Sequence, residues 1–436
     1  MIVVGKVNIN GRAEIGAMMG WLRKILYEAR RPAEERRRRP VRAGRDCCGC
    51  GACAQVCPHG AVSMAETEDG FLHAGVDLSL CRSCGICLRT CPVEEAVTGA
   101  GPHAVRLFAA RSVDLAVRMG SSSGGVFRCL AERVLARGGV VYGAAWDSDA
   151  LRVRHVAVET AGGLARLSGS KYVQSEIGHA YRGAREALQA GREVLFSGTP
   201  CQNEGLRLYL AREYPNLATV DVICHGVASP GVFSRYLRET CPRQAPLDVS
   251  FRDKAKGWRN FSLRVSDADS GAVILRETLV ENAFLKGFLS NLLLRESCSG
   301  CRQEWKLRSD ITLGDYWNVA EAVPSLADDT GVSAVLVSTR RGVELWEGIS
   351  DRVESVETPL APFFRANRNV LLPSVRHPRR DAFFAAFARG GAGVADLISR
   401  LAPWTWLAQK AWKARRHRQK RRIAALARGL EGKGAA

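Results

Sequence analysis

The chain has 436 residues, of which 46% are hydrophobic and 25% charged, and its net charge is +19. Such a length suggests two or three domains of ordinary globular composition. No run reaches the roughly 18 uninterrupted apolar residues that a membrane span requires, and no secretory pattern follows the short apolar start, so the chain is expected in the cytoplasm.

The positive charge sits at the two ends. Residues 1–45 hold 12 Lys and Arg against 4 Glu, and residues 401–436 hold 10 against 1. Residues 46–400 hold 41 basic and 39 acidic side chains. A nearly neutral middle argues against a nucleic-acid-binding body. Residues 1–43 therefore read as a basic, flexible extension, with "ARRPAEERRRRPVRAGR" (29–45) as a proline-punctuated spacer.

Residues 44–97 form the next unit. Cys47, Cys50, Cys53 and Cys57-Pro58 follow C-x2-C-x2-C-x3-C-P, and Cys81, Cys84, Cys87 and Cys91-Pro92 repeat it 34 residues later. Disulfides are unexpected in a long chain of this compartment. Zinc sites use one or two C-x2-C pairs without the third Cys or the closing Cys-Pro. Two full matches predict a two-cluster ferredoxin-like domain with crossed ligation. One [4Fe-4S] cluster takes Cys47, Cys50, Cys53 and Cys91; the other takes Cys81, Cys84, Cys87 and Cys57. Gly49, Gly51 and Gly85 let the loops curl. Cys48 falls outside the pattern and reads as a bystander thiol. Such a module moves electrons without choosing a substrate.

After "VTGAGP" (97–102) the pattern turns α/β, over residues 103–375. "GGVFRCLAERVLARGG" (124–139) predicts a helix. "VVYGAAW" (140–146) and "LRVRHVAV" (151–158) predict strands around an Asp-Ser-Asp turn. "REVLFSG" (192–198), "NEGLRLYLARE" (203–213) and "LATVDVIC" (217–224) read as strand, helix and strand of a parallel βαβ unit. The fold class is thus α+β: a bacterial ferredoxin-like domain, then an α/β domain with a partly parallel sheet.

Ligands gather at the carboxyl ends of parallel strands, and Cys201 ("SGTPCQ") and Cys224 ("ICHG") belong there. "ESCSGC" adds Cys298 and Cys301. These four thiols can hold a third cluster. Equally, strand-end cysteines can be small buried hydrophobes and the C-x2-C pair a zinc site. Cys129 and Cys241 read as structural. "GSSSGGVF" (120–127) opens a helix with exposed N–H groups that suit a phosphate, or else is a serine-rich cap. "GSKYVQS" (169–175) brings Lys171, a phosphate or flavin neighbour or a surface lysine. His225, beside Cys224, is a candidate proton or hydrogen-bond donor, or a structural histidine. No side chain stands out as an indispensable nucleophile.

Residues 376–436 read as a basic helical tail. "PWTWLAQKAWKARRHRQKRRIAALARGL" (403–430) sets Trp404, Ala408 and Trp412 on one helical face among basic residues. That pattern suits the inner, anionic face of a membrane, an RNA or acidic-partner arm, or a merely solvated end.

In their order along the chain, "SSSGGVF", "GSKYVQS", "VLFSGTPCQ", "VDVICHG", "FLSNLLLRESCSGC" and "SDITLGDYW" resemble the family formed by the beta subunits of coenzyme F-420 hydrogenases and dehydrogenases. The resemblance covers about residues 44–370 and implies a flavo-iron–sulfur oxidoreductase with FAD beside a [4Fe-4S] cluster. It implies that Cys201, Cys224, Cys298 and Cys301 hold that third cluster. By the same matching, Ser122, Ser123, Gly124 and Gly125 contact the flavin, with Lys171, Ser197, Gly198, Thr199 and Pro200 as neighbours. Asp315 lies in the matched "LGDYW". The implied activity moves electrons between a two-electron partner and one-electron carriers. The two-electron partner is reduced deazaflavin coenzyme F-420, another hydride carrier or an organic substrate; the one-electron carrier is a ferredoxin or a partner redox protein. The alternative is an electron-transfer subunit that wires a partner enzyme, such as one in polysaccharide biosynthesis.

Overall fold

The computed structural model describes residues 41, 44–94, 105–242, 246–302 and 306–402. The N-terminal extension (Val41 apart), the boundary at 97–102 and the helix expected at 403–430 lie outside the described residues.

The ferredoxin unit is built on a hairpin, β1 (Val62–Glu66) against antiparallel β2 (Leu72–Val76). Each cysteine loop ends in a short helix, Ala52–Val56 and Ile86–Arg89. The residues that start these helices, Gly51 and Gly85, have φ of 69° and 71°, a left-handed conformation that costs glycine little. Both repeats thus turn the same way into their helices.

The larger unit is a nine-stranded sheet. Its strands are β3 (Arg106–Ser112), β4 (Val140–Asp147), β5 (Arg152–Val158), β6 (Ser175–Glu176), β7 (Val194–Gly198), β8 (Leu217–Val222), then β12 (Ile311–Asp315), β13 (Ser333–Val337) and β14 (Val353–Glu357). Their order is β14-β3-β13-β12-β8-β7-β4-β5-β6. The centre, β12-β8-β7-β4, is parallel, and antiparallel strands extend it on both sides. Val194, Leu195 and Phe196 of β7 are fully buried, as expected of a strand covered on both faces. The three strands β9 (Leu247–Asp253), β10 (Ser262–Asp267) and β11 (Val273–Thr278) form a separate antiparallel sheet.

The helix after β7 runs Pro200–Leu210 and so begins three residues before the expected 203. Thr199 is its N-cap, with a capping box to Gln202 and Pro200 at the first helical position. These satisfy the free N–H groups and preset φ, which moves the start upstream. Cys201 therefore stands in the first helical turn rather than in the connecting loop.

Residues 376–402 were assigned above to the tail, but they pack into the main body. Helices Arg380–Arg389 and Val394–Leu401 bury Phe383, Phe384, Val394, Leu397 and Ile398 in the core shared with Phe233, Phe251 and Phe284. The apolar positions outweigh the basic ones, because only the apolar face meets the core.

Candidate functional site

The structure brings the ferredoxin cysteines together in two sets. Cys47, Cys50 and Cys53 of the first repeat lie within electrostatic reach of Cys91 from the second. Cys81, Cys84 and Cys87 lie near Cys57 from the first. A small void bounded by Cys57, Cys81, Cys84 and Cys87 fills the middle of the second set. Among the described residues no three His, Cys, Asp or Glu side chains converge on a single-ion site. Thiolates of a four-iron cluster bind separate irons and stand farther apart. Thiols within the first set differ chemically. Burial raises the Cys53 thiol, and neighbouring thiols add to it. Burial also opposes ionisation of Cys47, but a hydrogen bond from His73, the Arg295 charge and backbone N–H groups outweigh it and bring this thiol down to about 6.

A third set forms at the carboxyl end of the parallel strands. Cys201 comes from the helix after β7, and Cys224 lies two residues past β8. Cys298 sits in the 3-10 turn Glu296–Gly300, and Cys301 directly follows that turn. Cys224 and Cys298 each feel the charges of Cys201 and Cys301, so the four thiols share one place. Burial raises the Cys224 thiol and pushes Cys298 up to about 12. Cys201 is raised first by its hydrogen bond with Cys48 and then by burial. Thiols held this way ionise only against a cation, as iron would supply.

Cys48 is not an isolated bystander. It is buried, and its thiol lies in hydrogen-bonding contact with both Cys50 and Cys201, one from each neighbouring set.

Beside the third set lies a cavity of about 930 Å³, whose wall includes Cys224, His225 and Gly226. That volume is at the upper end for cofactor sites. Its far wall is the serine loop before the helix Val126–Ala136, and Ser122, Ser123 and Gly125 face it. Lys254 ties this loop down by donating to the carbonyls of Arg118, Ser123 and Thr330 at 2.7, 2.8 and 2.6 Å. Arg252 donates to Ser122 O at 3.2 Å, and Ser170 N donates to Ser122 Oγ at 2.6 Å. Asp315 has a clear role here: it accepts from Arg252 Nη1 at 2.8 Å and from Trp258 Nε1 at 3.0 Å, fixing the arginine that holds the loop.

Lys171, Ser197, Gly198 and Thr199 also line the cavity. Burial lowers Lys171 to about 7, and its amine donates to the carbonyls of Arg166 and Ser168. One expected flavin contact, Gly124, and one expected neighbour, Pro200, do not line it. Gly124 packs against β3, where a Cβ would stand 2.4 Å from Ala110 O, and its N–H donates to Ser333 Oγ. Pro200 is buried in the helix start. Both shape the wall without forming it.

Two histidines line the cavity. His155 Nε2 meets Ser197 O at 3.0 Å; His225 Nδ1 accepts from Asn369 at 2.9 Å, and its ring also lies in hydrogen-bonding contact with Asn291 and the Phe288 backbone. Burial lowers both to about 4, so both rings are neutral. His225 thus offers a hydrogen bond rather than a stored proton. Cys129 and Cys241 are buried in the core, away from this wall.

Sequence reasoning passed over Arg252, Lys254, Gln174, His155 and Arg295. Arg295 stood inside the quoted "LRESCSGC", but no local feature marks "FRDKAKGW" as a clamp on a loop 130 residues away.

Residues 191–361 match the family described as the C terminus of the beta subunit of coenzyme F420 hydrogenase/dehydrogenase, and residues 46–94 match a 4Fe-4S dicluster domain. The chain is 24% identical over 330 residues to the F subunit of the F(420)H(2) dehydrogenase of Methanosarcina mazei, covering 72% of this chain and 85% of that one. A ferredoxin of Methanocaldococcus jannaschii is 39% identical over 46 residues, 11% of this chain and 58% of that one. A chain in the F420-reducing [NiFe] hydrogenase complex of Methanosarcina barkeri aligns with a TM-score of 0.42 at 17% identity, covering 69% of this chain and 91% of that one. No helix among the described residues is long and apolar enough to cross a membrane.

Proposed function

The chain belongs to the coenzyme F-420 hydrogenase/dehydrogenase beta-subunit-like family and carries a 4Fe-4S ferredoxin domain, and on that footing we propose that it is a flavin- and iron–sulfur-dependent oxidoreductase. FAD would occupy the cavity, and three [4Fe-4S] clusters would occupy the three thiol sets. The observation that carries this reading is the third set, Cys201, Cys224, Cys298 and Cys301, which reaches the wall of a cofactor-sized cavity through Cys224. Flavin, when bound, exchanges electrons in pairs with a hydride partner and singly with a cluster.

The protein's own residues prepare that exchange. Lys254 and Arg252 hold the serine loop in one shape, so its N–H groups meet an anionic ligand without reorganising. Lys171 adds positive charge at the same wall. His155 and His225, both neutral through burial, line the same cavity. The hydride partner would be reduced coenzyme F-420, as the name of the Methanosarcina mazei relative suggests, or another hydride carrier or organic substrate. A ferredoxin or partner redox protein would meet the exposed ferredoxin repeat.

Anaerobic purification with flavin, iron and sulfide counted per chain tests this. About one FAD and about twelve irons are expected from three clusters. Eight irons would remove the third cluster, and absence of flavin would overturn the cofactor assignment. Titration with reduced F-420, NADH, NADPH and reduced ferredoxin then identifies the donor. Reduction only through a partner protein would instead make the chain a wiring subunit.

A further inference from the structure

Arg295 is 2% exposed. Its guanidinium donates to Cys47 O at 2.6 Å, to Leu72 O at 3.0 Å and to Gln174 Oε1 at 2.6 Å. Gln174 in turn donates to Cys48 O at 2.9 Å, and Ser297 donates to Cys47 O at 3.1 Å. Gly49 permits this approach: at φ +68°, a Cβ there would stand 2.3 Å from Gln174 Nε2 and 3.0 Å from Arg295 Nη1. The first ferredoxin repeat is thereby fastened to the segment that carries Cys298 and Cys301.

Among the described residues Arg295 forms no ion pair with Asp or Glu. A buried guanidinium without a counter-charge is costly. The ionisable groups that feel it are Cys47 of the first ferredoxin set and Cys201 and Cys298 of the third set. Cys48 lies between the same two sets, touching Cys50 and Cys201. In the second ferredoxin set, by contrast, Cys84 is exposed.

We infer that Arg295 is the positioning residue of the electron path. It docks the Cys47/Cys50/Cys53/Cys91 site against the Cys201/Cys224/Cys298/Cys301 site, and the anionic thiolates of both supply its counter-charge. The first ferredoxin site is then the one that exchanges electrons with the cavity side, and the second is the outlet to solvent. This rests on the cluster reading proposed above. One electron moves at a time between the two sites; one is oxidised as the other is reduced, no bond changes, and Arg295 keeps its proton. A fixed cation favours the reduced, more negative form of each neighbouring site.

The test uses the full-length, anaerobically loaded protein, with cluster reduction followed by electron paramagnetic resonance during a redox titration. Arg295→Gln is expected to cut the reduced-to-oxidised ratio of the first ferredoxin cluster and of the Cys201/Cys224/Cys298/Cys301 cluster about tenfold at fixed potential, or about 59 mV each for one-electron couples, leaving the Cys57/Cys81/Cys84/Cys87 cluster unmoved. Arg295→Lys keeps the charge but loses the fork. It is expected to hold all three potentials while amide exchange at residues 47–50 and 72–74 speeds up at least tenfold. Gln174→Ala, which spares the cation, should give the same exchange change without a potential shift, and it serves if the Arg295 variants do not accumulate. Unmoved potentials in Arg295→Gln, a shift of one cluster or all three, or unchanged exchange in Gln174→Ala would overturn the assignment. Eight irons in the wild type would sink the third-cluster reading along with it, whereas twelve irons with any of those results would sink this inference alone.

Discussion

Cys47–Cys57 and Cys81–Cys91 share one spacing, one glycine-led short helix and one closing Cys-Pro, but their surroundings differ. The first repeat lies in the core of the larger unit, where Cys48, Cys50 and Ala52 pack with Tyr142, Phe196 and Leu206. The second faces solvent: among the described residues Cys84 is the one exposed cysteine, and Leu78 and Leu80 beside it are exposed too. A motif of this kind sets ligand geometry, which is local. What each cluster would exchange electrons with depends on what packs around it. Identical repeats therefore serve different ends of one path.

The sharpest way to break that comparison is to push the first repeat out of the core. Gly205 lies under it, and a Cβ there would stand 3.0 Å from Cys50 Sγ and 3.0 Å from Tyr181 OH. Gly205→Val is expected to cost about 1–3 kcal/mol by overpacking, read in chemical unfolding, with iron lost from the first and third sites. Unfolding energies equal to wild type would mean that the two units do not dock this tightly.

A smaller effect separates the repeats by their ligands. Cys50→Ser and Cys84→Ser should each lose about four irons. Only the first should also lower the stability of the larger unit, by about 1–2 kcal/mol for a hydroxyl left in apolar surroundings. Equal melting temperatures for the two variants would count against the buried-versus-exposed distinction.

Next comes the cavity end. Lys171, lowered to about 7 by burial, is charged below that pH and neutral above it. Affinity for an anionic flavin cofactor should therefore weaken as pH rises through and beyond 7, by roughly tenfold from loss of one nearby charge. Lys171→Met should flatten the profile, as measured by fluorescence titration of FAD; a wild-type profile already flat across this range would remove Lys171 from the site.

The smallest effect concerns the exposed repeat. Leu78→Ser with Leu80→Ser should leave stability within about 0.5 kcal/mol of wild type. Stopped-flow reduction of a protein acceptor should slow, while reduction of a small dye should not. Equal slowing of both would place the outlet elsewhere.

Much of the fold was legible where its causes are close in sequence. The strands at 140–147, 152–158 and 194–198 follow from apolar runs and turn residues. The start of the helix at Pro200 was misjudged although its signals, Thr199, Pro200 and Gln202, stand next to each other. The clamp on the serine loop was not legible, because Arg252 and Lys254 reach it across 130 and 131 residues. Nor was the role of residues 380–401, whose apolar face only a neighbouring core makes decisive.

By itself, then, the amino-acid sequence determined the cysteine sets of the two ferredoxin repeats and the parallel strand order that gathers Cys201 and Cys224, because spacing of a few residues restricts where thiols and strand ends can go. Only the tertiary structure decided which repeat is buried and that Cys48 stands between two thiol sets. It alone decided that Arg295, 248 residues from Cys47, joins them. Such contacts arise from shape and charge between distant segments, and no local pattern along the chain encodes them.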